Sequence, residues 1–250
     1  MSVYGYHHHH GDSLKFFGDN KNNSLPFLGV ELEVDSERSI RSDPDDISDY
    51  IEDMFPRSFI YFEDDGSLDY GFENITAPAT FDYHKSLFTN YCDAFKYILS
   101  EGLFSYNVKS CGLHVHFNRN YFDNNEQLEN LLYIFDKYWD QIVLLSRRDK
   151  DSIGRWSAKY NDTPQKIVEF MYNLSRYHCV NLSNTDTIEI RIFKGTLNPY
   201  VYFATLAFVN EIIKISKYKS IDEIRSMKWE DFLPDETKAL WEKVKNREVE

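Results

Sequence analysis

The sequence predicts an α+β fold built on a mainly antiparallel sheet. Several short segments alternate apolar and polar residues with period two, as half-buried strands do. Other, longer segments repeat apolar residues with helical period. The two kinds follow each other without regular strand–helix–strand alternation, which argues against a doubly wound parallel sheet.

The elements follow in order. Residues 1–25 are polar and Asn/Gly-rich and read as an arm. The four histidines at 7–10 sit inside it and are read as native and not as a site. FLGVELEVD (27–35) sets Val30, Leu32 and Val34 against Glu31, Glu33 and Asp35, a strand with one polar face. Residues 36–50 are charged and turn-rich, and a short helix is expected at 51–55, ended by Pro56. Residues 58–79 read as strand, turn at Asp65-Gly66, and second strand closed by Pro78. Residues 82–101 carry Leu87, Tyr91, Phe95 and Ile98 on one helical face, stopped by Gly102. VKSCGLHVHFNRN (108–120) is the next strand, and 125–147 is expected to be one long amphipathic helix. Thr163-Pro164 reads as N-cap and first helical residue of a helix reaching about residue 175. Residues 178–193 form a hairpin, 199–218 a helix, and the tail after Ser220 is mostly helical. This divides the chain into the arm 1–25, one domain at 26–218, and a helical extension at 219–250 packed on that domain.

Composition narrows the function. The chain has 250 residues, with 28 Lys and Arg against 41 Asp and Glu, a formal net charge of −13. That balance, with no basic run, argues against nucleic acid as a partner. Cys92, Cys111 and Cys179 form no CxxC pair, which fits a reducing compartment. No apolar run is long enough for a membrane span, and the N-terminus lacks the apolar core of a signal peptide. A cytoplasmic protein is the expectation.

Each strand places chemistry on its polar face. Glu31 and Glu33 share one, Glu73 lies just after the DDGSLD turn, His114 and His116 share another, and so do Glu189 and Arg191, with Ile188, Ile190 and Ile192 opposite. Taken singly, each has a plain reading: a solvated face for the glutamates, a same-face ion pair for Glu189 and Arg191. Taken together on neighbouring strands, they converge. That much carboxylate demands compensating charge, and carboxylates with some imidazole suit Mg²⁺ or Mn²⁺ better than structural Zn²⁺. An arginine beside such ions suits a transferring phosphoryl group.

The run GVELEVD, DGSLDYGFENITAP, CGLHVHFN, RYHCVNL and TIEIRIFKGTLN, in that order over about residues 27–198, resembles the amidoligase family of phages, plasmids and bacteria. That family belongs with the glutamine synthetase and glutamate–cysteine ligase superfamily of carboxylate–amine ligases. The resemblance implies a glutamine-synthetase-like half-barrel, its sheet curved and its helices on the convex face. It also implies ATP and Mg²⁺ (or Mn²⁺) in the concavity, with an amide formed through an acyl phosphate. By motif position it makes Glu31, Glu33, Glu73, His114 and Glu189 metal ligands. His116 would meet nucleotide phosphate or stand behind the metal ligands, and Arg191 would neutralise the phosphate. Arg176 is a second candidate for substrate or phosphate. Arg147 and Arg148, at the end of the long helix, are further ones. Lys194, beside Gly195, is another, although strict alternation puts it on the face of Ile192.

The partners implied are a carboxylate and an amine, with amino acid, peptide and protein all open, and no oligomeric state is read. Three rivals share the site: a phosphotransferase, a metal-dependent hydrolase opening with HxH, and a non-catalytic binding protein. The hydrolase is disfavoured because only His84 and His178 remain outside HVH and the N-terminal run.

Overall fold

The computed structural model describes residues 14–19, 24–36, 40 and 42–246. The histidine run at 7–10 lies outside them. Six strands carry the fold: β1 (Leu28–Val34), β2 (Ile60–Glu63), β3 (Phe72–Thr76), β4 (Gly112–Asn118), β5 (Val180–Asn181) and β6 (Thr187–Lys194). They form one open sheet in the order β2-β3-β1-β4-β6-β5, with every pair antiparallel. The α+β expectation holds.

Ten α-helices accompany the sheet among the described residues. They are α1 (Pro44–Glu52), α2 (Phe81–Ser86), α3 (Phe88–Glu101), α4 (Asn125–Lys137), α5 (Trp139–Ser146), α6 (Lys150–Trp156), α7 (Pro164–Glu169), α8 (Pro199–Tyr218), α9 (Ile221–Ser226) and α10 (Asp235–Lys245). One sheet face is apolar: Leu28, Val30, Leu32, Leu113, Val115, Phe117, Ile188 and Ile190 are buried. Helices α3 and α8 cover it, with Tyr91 and Tyr202 meeting over Leu32, Asn74 and Thr76. Asn74, out of place in an apolar strand, lies on this side and donates to the Leu32 carbonyl, so its amide is satisfied.

Several boundaries differ from the sequence reading. The helix at 44–52 begins in the stretch read as turn-rich; Asp43 caps it and Pro44 starts it. The helix expected at 82–101 breaks at Leu87, and that at 125–147 breaks at Tyr138, whose backbone is not helical. The helix at Pro164 lasts six residues, and Thr163 makes no side-chain cap. Part of the polar arm docks: Phe17 pairs with the 78–80 backbone and packs on Phe59 and Tyr83. The C-terminal α10 ties to α8 through Thr237, which donates to the Ala204 carbonyl at 2.8 Å.

Candidate active site

Register builds the site. Residues directly opposed in an antiparallel pair share a face. Glu63 stands opposite Glu73, and Glu73 opposite Glu33, one rung across β2, β3 and β1. His116 stands opposite Glu189, and Glu189 opposite Asn181, a second rung across β4, β6 and β5. Glu31 opposite His114 joins the two. All these side chains lie on the face away from α3 and α8, where period-two alternation sends them.

The rungs line two connected basins. The larger, about 870 Å³, includes Glu33, Asp65, His114, Arg148, Arg176 and Arg191. The smaller, about 220 Å³, includes Glu31, Glu63, Glu73, His116, Asn181 and Glu189. Two carboxylate groupings stand out. Glu31, His116 and Glu189 each offer one ligand atom within 4.8 Å of the others, and so do Glu33, Asp65 and Glu73.

The charges are strongly coupled. Burial opposes ionisation of Glu31, but the imidazoles of His116 and His114 outweigh it and hold the carboxyl well below its usual range. Burial likewise opposes a charged His116, yet Glu31 and Glu189 raise it to about 9. Glu73 has no such partner. Burial, then Glu31, Glu33, Asp65 and Glu63, push its carboxyl up to about 10. Without a cation, this face keeps Glu73 protonated.

The donor set fits a divalent cation. Both groupings are carboxylate-rich, one with an imidazole, as Mg²⁺ or Mn²⁺ prefers. His116 Nε2 lies 3.0 Å from Glu31 Oε1 and 3.7 Å from Glu189 Oε1 but is in line for a hydrogen bond with neither. Glu33 uses one oxygen to accept the Gly112 N–H, and Glu189 accepts from Asn181 Nδ2 at 2.8 Å. These bonds hold the two carboxylates in place and leave the second Glu33 oxygen for a cation, while the second Glu189 oxygen also pairs with Arg191.

The residues singled out from sequence take these positions. Glu31, Glu33, Glu73, His114, His116, Glu189, Arg176 and Arg191 converge on the two basins. The two imidazoles sit differently. It is His116 that joins a carboxylate grouping, whereas His114 is buried with Nδ1 between Glu31 (3.3 Å) and Glu189 (3.5 Å). Arg191 pairs with Glu189, and its Nε is buried without a partner. Arg176 lies over the Tyr177 ring at the mouth. Arg147 does not line either basin: one N–H goes to the Lys194 carbonyl, and its guanidinium lies over Tyr106.

Lys194 corrects the parity argument. The pairing of β4 with β6 slips between Leu113 and Val115, so that β6 holds an extra residue there. The bulge returns Lys194 to the site face, opposite Gly112, while Ile192 and Phe193 are both buried. Its ammonium nevertheless donates to the Val108 carbonyl and does not line either basin.

Sequence reading missed Glu63, Asp65 and Asn181. Glu63 and Asn181 lie on strands already identified, and their parity was the available signal. Asp65 was read as a turn residue. The loop that carries it, 64–71, forms a wall of the larger basin. Asp35 fixes it by accepting from the Asp69 and Tyr70 backbones at 3.0 and 2.8 Å. Gly71 permits this approach, since a β-carbon there would fall 1.7 Å from the Val34 carbonyl oxygen.

Residues 136–213 match a family model described as "Putative amidoligase enzyme". The matched stretch holds Arg147, Arg148, Arg176, Glu189, Arg191 and Lys194 and excludes the first four strands. No curated protein matches the chain. Among solved structures, one similar chain comes from the crystal structure of the complex between the prokaryotic ubiquitin-like protein Pup and its ligase PafA. The similarity has 13% identity and a TM-score of 0.36, over 86% of this chain and 52% of that one. The chain therefore spans about half the length of that relative.

Proposed function

We propose that this protein is an ATP- and divalent-cation-dependent carboxylate–amine ligase. The observation that carries the reading is the convergence of two carboxylate groupings and buried arginines on one face of the sheet. The amidoligase match over residues 136–213 supports it. Glu31, His116 and Glu189 would hold one Mg²⁺ or Mn²⁺, and Glu33, Asp65 and Glu73 another. Such ions supply charge neutralisation for ATP phosphates.

Around them the chain's own residues divide the work. Asn181 and His114 orient Glu189 and Glu31. Arg191 offers its unpartnered Nε–H to the γ-phosphoryl oxygens. Arg176, at the mouth, meets the incoming acid. A carboxylate oxygen attacks the γ-phosphorus and ADP leaves, giving an acyl phosphate. The amine nitrogen then attacks the acyl carbon, inorganic phosphate leaves, and the amine sheds a proton. An amide, ADP and phosphate result.

The first test needs no substrate. Thermal stability is followed with Mg²⁺ or Mn²⁺, with and without ATP, for the native chain, Glu31→Ala and Glu189→Ala. Ligand at 100 times its dissociation constant adds about 2.7 kcal/mol. The expected result is a cation-dependent ATP shift, lost in both variants. No shift with either cation overturns the proposal. Product analysis with acid–amine mixtures then separates amide from a phosphorylated acceptor or from hydrolysis without ATP.

A further inference from the structure

Arg148 is 5% exposed and sits in the wall of the larger basin with Glu33, His114 and Arg191. The chain fixes its direction from both sides. Before it, α5 ends in Arg147 with a left-handed backbone (φ 60°), which a non-glycine residue adopts only at some cost in energy. After it, Asp149 caps α6 by accepting the Ser152 N–H at 3.0 Å. The Arg148 N–H itself is held by Ser146 Oγ at 3.2 Å.

Its side chain meets a specific gap in the sheet. Strand β5 has only two residues, so β6 runs out of partner at Arg191. The Arg191 N–H still reaches the Cys179 carbonyl at 2.9 Å. The reciprocal bond is not available, because the Cys179 N–H is spent on the Ala158 carbonyl at 3.0 Å. The Arg191 carbonyl would be left without a ladder donor at the bulge. Arg148 Nη1 donates to it at 3.2 Å. The space for that guanidinium comes from Gly112: a β-carbon there would lie 2.6 Å from Arg148 Nη2 and 2.6 Å from His114 Nε2. This is a steric reason for the glycine that opens the HVH strand. The Arg148 Nε is buried without a partner. A guanidinium buried so deeply with so few bonds costs free energy, which the nearby Glu33 carboxylate offsets in part.

We propose that Arg148 is a positioning residue for Arg191: it holds the Arg191 carbonyl at the β6 bulge, and so aims the Arg191 side chain at Glu189 and at the γ-phosphate of a bound nucleotide. The inference rests on the ligase reading for the nucleotide and on the sheet geometry for the contact. Losing Arg148 frees the bulge, lets the Arg191 side chain wander, and weakens the grip on the phosphate that distinguishes ATP from ADP.

The test uses the full chain with Mg²⁺ and compares ATP with ADP by calorimetry for the native protein, Arg148→Met, Arg148→Lys and Gly112→Ala. Orphaning a buried carbonyl and loosening a charged contact should lower ATP affinity by about tenfold in Arg148→Met, with ADP nearly unchanged. Arg148→Lys keeps a donor and recovers most of the difference. Gly112→Ala retains every charge but crowds Arg148 Nη2 and His114 Nε2 alike, so its loss of ATP affinity counts for the Arg148 contact only where the His114 ring resonances are unchanged. If Arg148→Met fails to fold, these last two variants decide the matter. A lowered melting temperature with an unchanged ATP-to-ADP ratio would show a merely structural residue and overturn the proposal. A second readout needs no nucleotide: the Arg191 Nε–H resonance should shift or broaden in Arg148→Met and Gly112→Ala. If the native chain binds neither nucleotide but that resonance responds, the ligase reading fails and the positioning contact stands. If the resonance does not respond, the contact itself is refuted.

Discussion

Replacing Glu73 by glutamine should stabilise the protein in the absence of cations and weaken it in their presence. Glu73 faces Glu33 and Glu63 across two strand pairs, with Asp65 beside them. Burial and then these neighbours raise its carboxyl from an ordinary value of 4.5 to about 10. An acid whose folded value is raised contributes stability at low pH, fully present below 4.5 and lost as pH rises toward 10. At pH 7 the folded chain must hold a proton that the unfolded chain releases. With 1.36 kcal/mol per pH unit, the 2.5 units between 4.5 and 7 amount to roughly 3 kcal/mol. Sharing of protons within the cluster makes that an upper bound. Glutamine keeps the shape and removes the term. For a domain of this size each kcal/mol moves the melting temperature by about 2–4 °C. In EDTA at pH 7, Glu73→Gln should therefore melt about 5–10 °C above the native chain, and the difference should vanish near pH 4. With excess Mg²⁺ or Mn²⁺ the order should reverse, because the native carboxylate then releases its proton to bind the ion. Melting curves from pH 4 to 9, with EDTA or with metal, read both effects. A variant no more stable than the native chain in EDTA at every pH would refute the reasoning.

Two further outcomes follow from other parts of the structure. His84 is fully buried, its Nε2–H donating to the Leu28 carbonyl and its Nδ1 accepting from Tyr91, both at 2.9 Å; burial lowers its pKa to about 4. Stability from this neutral ring is present above 6.5 and falls by about 3 kcal/mol as pH drops to 4; an NMR titration showing it protonated at pH 6 in the folded protein would contradict this. Gly71→Ala should destabilise by about 2–4 kcal/mol or displace loop 64–71, since its methyl meets backbone at 1.7 Å; unchanged urea midpoint and unchanged cation binding would show the approach to be adjustable.

Much of the site was legible because strand alternation is a local property. Glu31 with Glu33, His114 with His116, and Glu189 with Arg191 could be placed on shared faces from spacing alone. The same rule failed for Lys194, because a bulge is a property of two strands and leaves no mark in the spacing of one. It gave no role to Glu63 or Asn181 until register set them opposite Glu73 and Glu189. The two long helices read from periodicity broke at Leu87 and Tyr138, where the apolar pattern continues but the backbone leaves the helical region.

What the sequence by itself determined was therefore the fold class, the polar and apolar face of each strand, and most of the residues that converge. Those follow from periodicity and from the energetic need to bury one face. Only the tertiary structure decided which carboxylates stand opposite one another, which imidazole joins them, and which arginine reaches the basin. Strand order, register and bulges are long-range, and they fix cross-strand neighbours a few ångströms apart. At that distance a single residue of slip changes the chemistry of the site.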